Sequence, residues 1–174
     1  SNSLRALTTD QIVALTTEQL DSMSATRLAL LTTTQIAAIE TADIAVITST
    51  ALAGLTTAQA AALTTGQVVA LSTAQAKALT TAQVAALETE NLVMLTGTPL
   101  QSLTTDQVVA LTTLQVSNLT TDQLNALKAT QIAAMATEDV KALTSDQVKA
   151  LATLQASSLT TAQIQAIETA DLAV

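Results

Sequence analysis

The sequence has no cysteine, no histidine and no phenylalanine, tyrosine or tryptophan, and it contains only three glycines and one proline. Each absence removes a class of protein. Without Cys or His there are no disulfides, no thiolate chemistry and no zinc sites of the usual kind. Without aromatic rings, a conventional compact core for 174 residues lacks its bulky members, and thin layers of Leu, Ile, Val and Ala are expected instead. Positive charge is scarce too: six Lys and Arg stand against fourteen Asp and Glu, for a net charge of −8. Such a chain repels phosphate backbones and offers no rings on which bases could stack, so no nucleic-acid partner is expected. Long apolar runs are also missing. Mean hydropathy is +0.45, yet runs stop at four or five residues, as at Val68 to Leu71, far short of the roughly 18 that a membrane helix needs. No signal peptide is recognisable, and the opening Ser1-Asn2 reads as a remnant of cloning.

What is present is a phrase of eight residues. Counted from Leu7, the frame holds without insertion or deletion to Val174, giving 21 octads. Residues 1–6 are read as that remnant and a partial repeat, with Leu4 in sixth place, and residues 7–174 as a single repeat domain. Place 1 is Leu, Ile or Met in every octad, and place 6 is always apolar, from Ile12 and Leu20 to Leu172. Place 8 is mostly small. Places 2 and 3 are mostly Thr, and place 5 is Gln in 14 of the 21 octads. Places 4 and 7 tolerate nearly anything, as at Asp10, Gly66 and Leu114 or Asp21, Lys77 and Val109. Tolerant places are expected to face solvent and restricted ones a packed interior.

The octad reads as a helix start. In Leu7-Thr8-Thr9-Asp10-Gln11-Ile12, Thr8 and Gln11 have the spacing of a capping box, and Leu7 and Ile12 that of a hydrophobic staple. Acids at place 4 (Asp10, Glu18, Asp106, Asp122, Asp146) fall in the first turn, where negative charge is favoured. Some octads depart. Glu40, Glu88 and Glu168 occupy place 2, which suggests a cap moved to the following Thr, and Thr98-Pro99 suggests a cap followed by proline at the first helical position. The start is therefore expected to slide by a residue or two between octads. A single octad is too short to hold a helix in water, so stability must come from stacking, as in a solenoid.

The fold class expected is all-α: a solenoid of very short helices, one per octad. The atypical octads begin at Ile39, Leu87, Met135 and Ile167, so successive ones are separated by six, six and four octads. All three separations are even, and only the first two are multiples of three, which favours two octads per coil. The alternative is a β-solenoid with 24-residue coils, since Thr, Val and Ile favour strands. Against it, the residues of tight corners are rare, and places 1 and 6 would point to opposite faces of a strand.

The pattern L-T-T-x-Q-V-x-A resembles the tandem octapeptide tracts of very large bacterial surface or secreted proteins, of the RTX-adhesin kind, some labelled "heme utilization". The resemblance covers the whole chain and implies an extracellular or cell-surface location. A heme role finds no support in the residues: the only candidate axial ligands are Met23, Met94 and Met135, all at restricted places, where core packing explains them. Glu138-Asp139 and Glu88 with Glu90 are the closest acidic clusters, but no calcium-loop pattern surrounds them. Lys77, Lys141 and Lys149, all at place 7, read as solvated charges. Ser and Thr have no His to activate them. No catalytic, cofactor-binding or metal-ligating residue is assigned, and no enzyme activity is expected. The reading is a structural stalk, spacer or extender, and the alternative is a binding module for a protein, glycan or ice. Self-association is expected through uncapped solenoid ends, with Ile164, Ile167, Leu172 and Val174 exposed at one of them.

Overall fold

The computed structural model describes residues 2–171, with side chains described for residues 4–167. Among the described residues there are twenty-one helices and no strand. All are four to six residues long except the last, Thr161–Asp171. The fold is the expected all-α solenoid, and the strand alternative does not apply to it.

The local structure follows from the octad. Place 2 is the N-cap in extended geometry, and every helix from Thr9–Val13 to Thr161–Asp171 begins at place 3. The expected sliding of the start does not occur. Glu40 and Glu88 remain at the N-cap without a side-chain cap bond, and Thr41 and Thr89 are the first helical residues. In the octad containing Pro99 the N-cap is Thr96, not Thr98, and Pro99 is the third helical residue. Thr96 makes no side-chain cap bond, because the residue whose N–H it would accept is proline. At that start Gly97 has φ of +63°, the one positive φ among the described residues. Elsewhere the chain turns its corners on extended residues. The place 1 N–H closes the helix on the place 6 carbonyl (Leu71 to Val68, 3.2 Å). Place 1 then turns extended, as at Leu79 (φ −56°, ψ 138°), and so does the next N-cap, Thr80 (φ −70°, ψ 157°). Corners built this way need no glycine, which explains how a solenoid can form from a sequence with so few.

Three octads, not two, close a coil. Each helix packs on those three before and three after it: Thr9–Val13 on Thr33–Ala38, that on Thr57–Ala61, and so on along the chain. The helices therefore form three stacks, which we call first, second and third after the octads beginning at Leu7, Leu15 and Met23. The two-octad coil expected from the spacing of atypical octads is thus corrected, and the arrangement of the stacks gives the reason. The octads beginning at Ile39, Leu87 and Met135 lie two full coils apart, all in the second stack, whereas the one beginning at Ile167 forms no helix of its own, since Thr161–Asp171 runs into it, and its side chains after Ile167 lie outside the described residues. A single extended corner does not fold the chain back on itself, so helices consecutive in sequence do not pair as hairpins.

Place 1 and place 6 side chains fill the interior as a continuous layer, from Ile12 to Leu143. Of the methionines, Met23 and Met135 are buried there, but Met94 at place 8 is 48% exposed, so the expectation that all three pack inside fails for it. Place 8 is small because it rests on place 3 of the preceding coil. The Ser102 hydroxyl donates to the Thr73 carbonyl (3.2 Å), and a Cβ added to Gly54 would lie 2.3 Å from Ala25 Cβ and 2.8 Å from Ala25 Cα. One break is missing. The last helix runs through Ile167, where Glu168 and Asp171 stand in place of the Thr and Gln of a box. The break after Ile39 also lacks a box, but Gln67 donates to its carbonyl at 2.7 Å. Leu172 and Val174, expected at an exposed end, lie outside the described residues.

Gly54→Ala should lower the thermal midpoint by an amount equivalent to about 1–3 kcal/mol, the usual cost of overpacking. Gly66→Ala, whose new Cβ would meet only the Thr41 side chain, with its hydroxyl at 3.1 Å, should be neutral or stabilising, because Ala is the better helix former by roughly 1 kcal/mol. Melting curves followed by circular dichroism in the far ultraviolet distinguish the two.

Candidate functional site

The most specific chemistry in the molecule is at place 5. The capping box forms as read from the sequence: the Gln83 N–H donates to Thr80 Oγ1 (3.2 Å), and the Thr80 N–H donates to Gln83 Oε1 (2.7 Å). Even where place 2 has no hydroxyl, the Gln half persists, as in Lys128 N–H to Gln131 Oε1 (2.7 Å) and Ala152 N–H to Gln155 Oε1 (3.0 Å). The sequence does not announce what the other end of the same amide does. Its Nε2 reaches down to the corner that leads into the helix beneath, and donates to the place 6 carbonyl of one octad and the place 1 carbonyl of the next. Gln59 donates to Leu31 (2.7 Å) and Leu28 (3.0 Å), Gln75 to Ile47 and Ile44 (2.7 Å each), and Gln155 to Leu127 (2.7 Å) and Leu124 (2.8 Å). These carbonyls lie at helix C-termini, where the helix itself leaves acceptors without donors. One amide thus caps the start of its own helix and the end of the helix that precedes the one beneath it, as Gln59 of Thr57–Ala61, which rests on Thr33–Ala38, caps the end of Ala25–Leu28.

Burial follows the latch. Gln35 and every place 5 Gln from Gln59 on are 1–3% exposed, and each donates to the coil below. Gln11 and Gln19, which have no described coil beneath them, form the same box and are exposed. A signal for this was present in the sequence. Glu completes a capping box as well as Gln, yet Glu never occupies place 5. Only a need for an amide donor discriminates against it.

The departures at place 5 use a second partner. In the second stack Asn91 accepts from Thr65 Oγ1 (2.6 Å) and donates to the Leu63 carbonyl (2.8 Å). Asp43 accepts from Thr17 Oγ1 (3.1 Å) and Asp139 from Thr113 Oγ1 (2.8 Å) in the same relation. Neither Asp carries an amide for the carbonyl that Asn91 serves. Asp139 is 5% exposed. Burial pushes its carboxyl above the ordinary value of 3.8, the Thr113 hydroxyl bond pulls it down, and neighbouring Glu138 adds an upward push.

The other residues weighed from the sequence do not converge. Glu138 is exposed beside buried Asp139, while Glu88 and Glu90 are both exposed. Among the described residues no group of three or more acids is placed to hold a metal ion. Lys77, Lys141 and Lys149 are exposed, as read. Met23 and Met135 lie in the core, four or more coils apart along the axis. No helix of the described residues is long and apolar enough to cross a membrane.

This architecture, one amide repeated from coil to coil on a Leu-Thr-Thr frame, defines a repeat protein. The chain belongs to the ALTTAQ repeat family, whose pattern matches residues 36–73, 84–121, 119–153 and 132–169, together well over half of the sequence. Residues 78–83 spell the family's hexad, and the glutamine that ends it is the latch residue Gln83. No curated protein and no solved structure matches the chain.

The latch can be tested by removing its donor alone. Gln83→Glu keeps the box but sets a carboxylate against the Leu52 and Leu55 carbonyls, and should cost on the order of 3 kcal/mol. The same change at exposed Gln11 should alter stability by less than about 0.5 kcal/mol. Chemical denaturation of both variants measures the contrast. At Asp139 the opposite change is informative. Asp139→Asn supplies the donor that Asn91 has, and should stabilise the fold by about 1 kcal/mol at neutral pH. The folded chain holds the Asp139 proton more tightly than the unfolded chain does. Its stabilising contribution is therefore complete below the ordinary value of 3.8 and is lost as pH rises through the raised folded value. The advantage of the Asn variant should accordingly shrink on acidification, which unfolding midpoints measured across that range would reveal.

Proposed function

We propose that this chain is a non-catalytic structural region, a stalk, spacer or extender, in a bacterial protein that acts outside the cell or on its surface. The observation that carries the proposal is the uniform latch. Each coil is joined to the one below by the same pair of amide-to-carbonyl bonds. Every three octads therefore add a unit of the same kind along one axis, and length becomes a direct function of repeat number. Helices packed side by side lie about 8–10 Å apart, so seven coils span roughly 55–70 Å. The adhesin-like and extracellular parts of the reading rest on the octapeptide resemblance. A chain without Cys or His is compatible with export, and supplies neither a nucleophile–base pair nor a heme ligand set for an enzymatic or heme-binding role.

Binding across the solenoid surface is the second reading. A polar lattice for ice or glycan draws little support from place 5, whose Gln side chains are buried. The uneven charge on the three stacks favours a protein partner instead.

A tandem of two copies of residues 7–174, joined in frame, should be longer than one copy by roughly 55–70 Å with an unchanged cross-section. Small-angle scattering measures both, and a maximum dimension that grows like that of a globule would overturn the spacer reading.

A further inference from the structure

Folding sorts the charges. Of the twelve carboxylate side chains among residues 4–167, eight lie on the second stack, where Lys141 is the sole base. Six of these acids are exposed: Glu18, Asp21, Glu40, Glu88, Glu90 and Glu138. Five of the six bases lie on the third stack or at the corner where it passes into the first: Arg5, Arg27, Lys77, Lys149 and Lys128. Nothing in the octad requires this. The 8-residue frame treats all octads alike, and only the three-octad coil brings these residues to opposite sides.

Each side carries a further feature. On the second stack, Val69 is 51% and Met94 48% exposed, with half-buried Val93 between them. Exposed Glu88 and Glu90 belong to the same octad as Val93 and Met94. On the opposite corner a groove of about 310 Å³ is flanked by Lys77 and Lys128 and floored by the hydroxyl residues Ser102, Thr104, Thr105 and Thr130, with no carboxylate in its lining. The groove spans the third to the sixth coil, from Lys77 to Lys128, and the apolar patch lies on the third and fourth, with Glu88 and Glu90 on the fourth and Glu138 on the sixth.

We propose that the acidic second-stack face of one copy of this chain receives the basic corner of a second copy, side by side and parallel. The chemistry fits on three counts. In one register each base meets the second-stack acids 10–13 residues further along the chain: Lys77 comes opposite Glu88 and Glu90, Lys128 opposite Glu138, and Arg27 opposite Glu40. The aliphatic stems of Lys77 and Lys128 cover Val69 and Met94 while their ammonium groups reach the acids. Charge pairs set orientation and register, and the apolar centre supplies the affinity. Because the two surfaces differ, the contact is heterologous: each added copy leaves one face and one corner open, and association proceeds beyond the dimer into a flat or curved array of parallel solenoids. Net repulsion between copies of charge −8 acts at longer range than the contacts and is screened beyond about 8 Å at physiological salt, so the array forms at moderate ionic strength and dissolves at high salt. The proposal does not depend on the spacer reading.

Sedimentation velocity of the whole chain, across concentrations at about 0.1 M and 1 M salt, tests it. Association is expected at the lower salt and at least tenfold weaker at the higher. The double variants Lys77→Glu with Lys128→Glu, and Glu88→Lys with Glu90→Lys, should each remain monomeric. All four positions are exposed, and melting curves confirm that folding is retained. An equimolar mixture of the two variants restores one native pairing of face and corner and should associate again. A wild-type chain that stays monomeric at every concentration in both salts overturns the proposal. So does association that survives either charge reversal, or that strengthens with salt, as end-to-end apolar stacking would.

Discussion

A single primary amide holds this structure together. A glutamine side chain has two donors and two acceptor sites, and here it uses three of them on three backbone groups. Its oxygen takes the N-cap N–H of its own helix, and its nitrogen takes two carbonyls from the corner that leads into the helix below. Helices of four to six residues would otherwise consist mostly of unsatisfied ends, since the first four N–H groups and the last four carbonyls of any helix lack internal partners. A solenoid of such helices is possible only if one end satisfies another, and the glutamine is the connector. Carboxylates cap helix starts equally well but cannot donate, so a charged Glu could make none of the contacts by which Gln reaches the coil below. Among the described residues no buried side-chain nitrogen or oxygen is left without a partner.

The same constraint accounts for the irregular octads. Where place 5 shortens to Asn or Asp, the side chain no longer spans both carbonyls and turns to the place 3 Thr of the coil below. Among the described side chains this happens only on the second stack and in alternate coils, so a two-coil order is superimposed on the single coil. Place 8 meets a steric limit. Stacking brings place 8 against place 3 of the coil below, and at Gly54 an added Cβ would collide with Ala25. Met94 is tolerated at place 8 because its side chain leaves the interface for solvent.

Since each coil contacts only its neighbours, stability is a sum of similar interface contributions, and places 4 and 7 vary without disturbing the latch. That freedom allows the three stacks to diverge in charge and hydropathy while the frame stays constant. Any function that requires a distinctive surface must be written in the exposed places, chiefly 4 and 7 but also place 2, where Glu88 and Lys128 stand, and their unequal use on the three stacks is the part of this chain that differs from a bare scaffold.

The octad by itself determined a good deal: helical class, the N-cap at place 2 of the regular octads, the capping box, the buried places 1 and 6 and the solvated places 4 and 7. All of these depend on residues within one octad of one another, and Thr8, Gln11 and Ile12 carry the whole local argument. Tertiary structure decided the rest: how many octads close a coil, the second role of glutamine, and which octads share a face. A repeat of one octad fits coils of two, three or four octads equally well, so it cannot select among them. The angle of the extended corner and the reach of an amide to carbonyls one coil below make that selection. Neither quantity exists until the chain has turned three times and lies on itself.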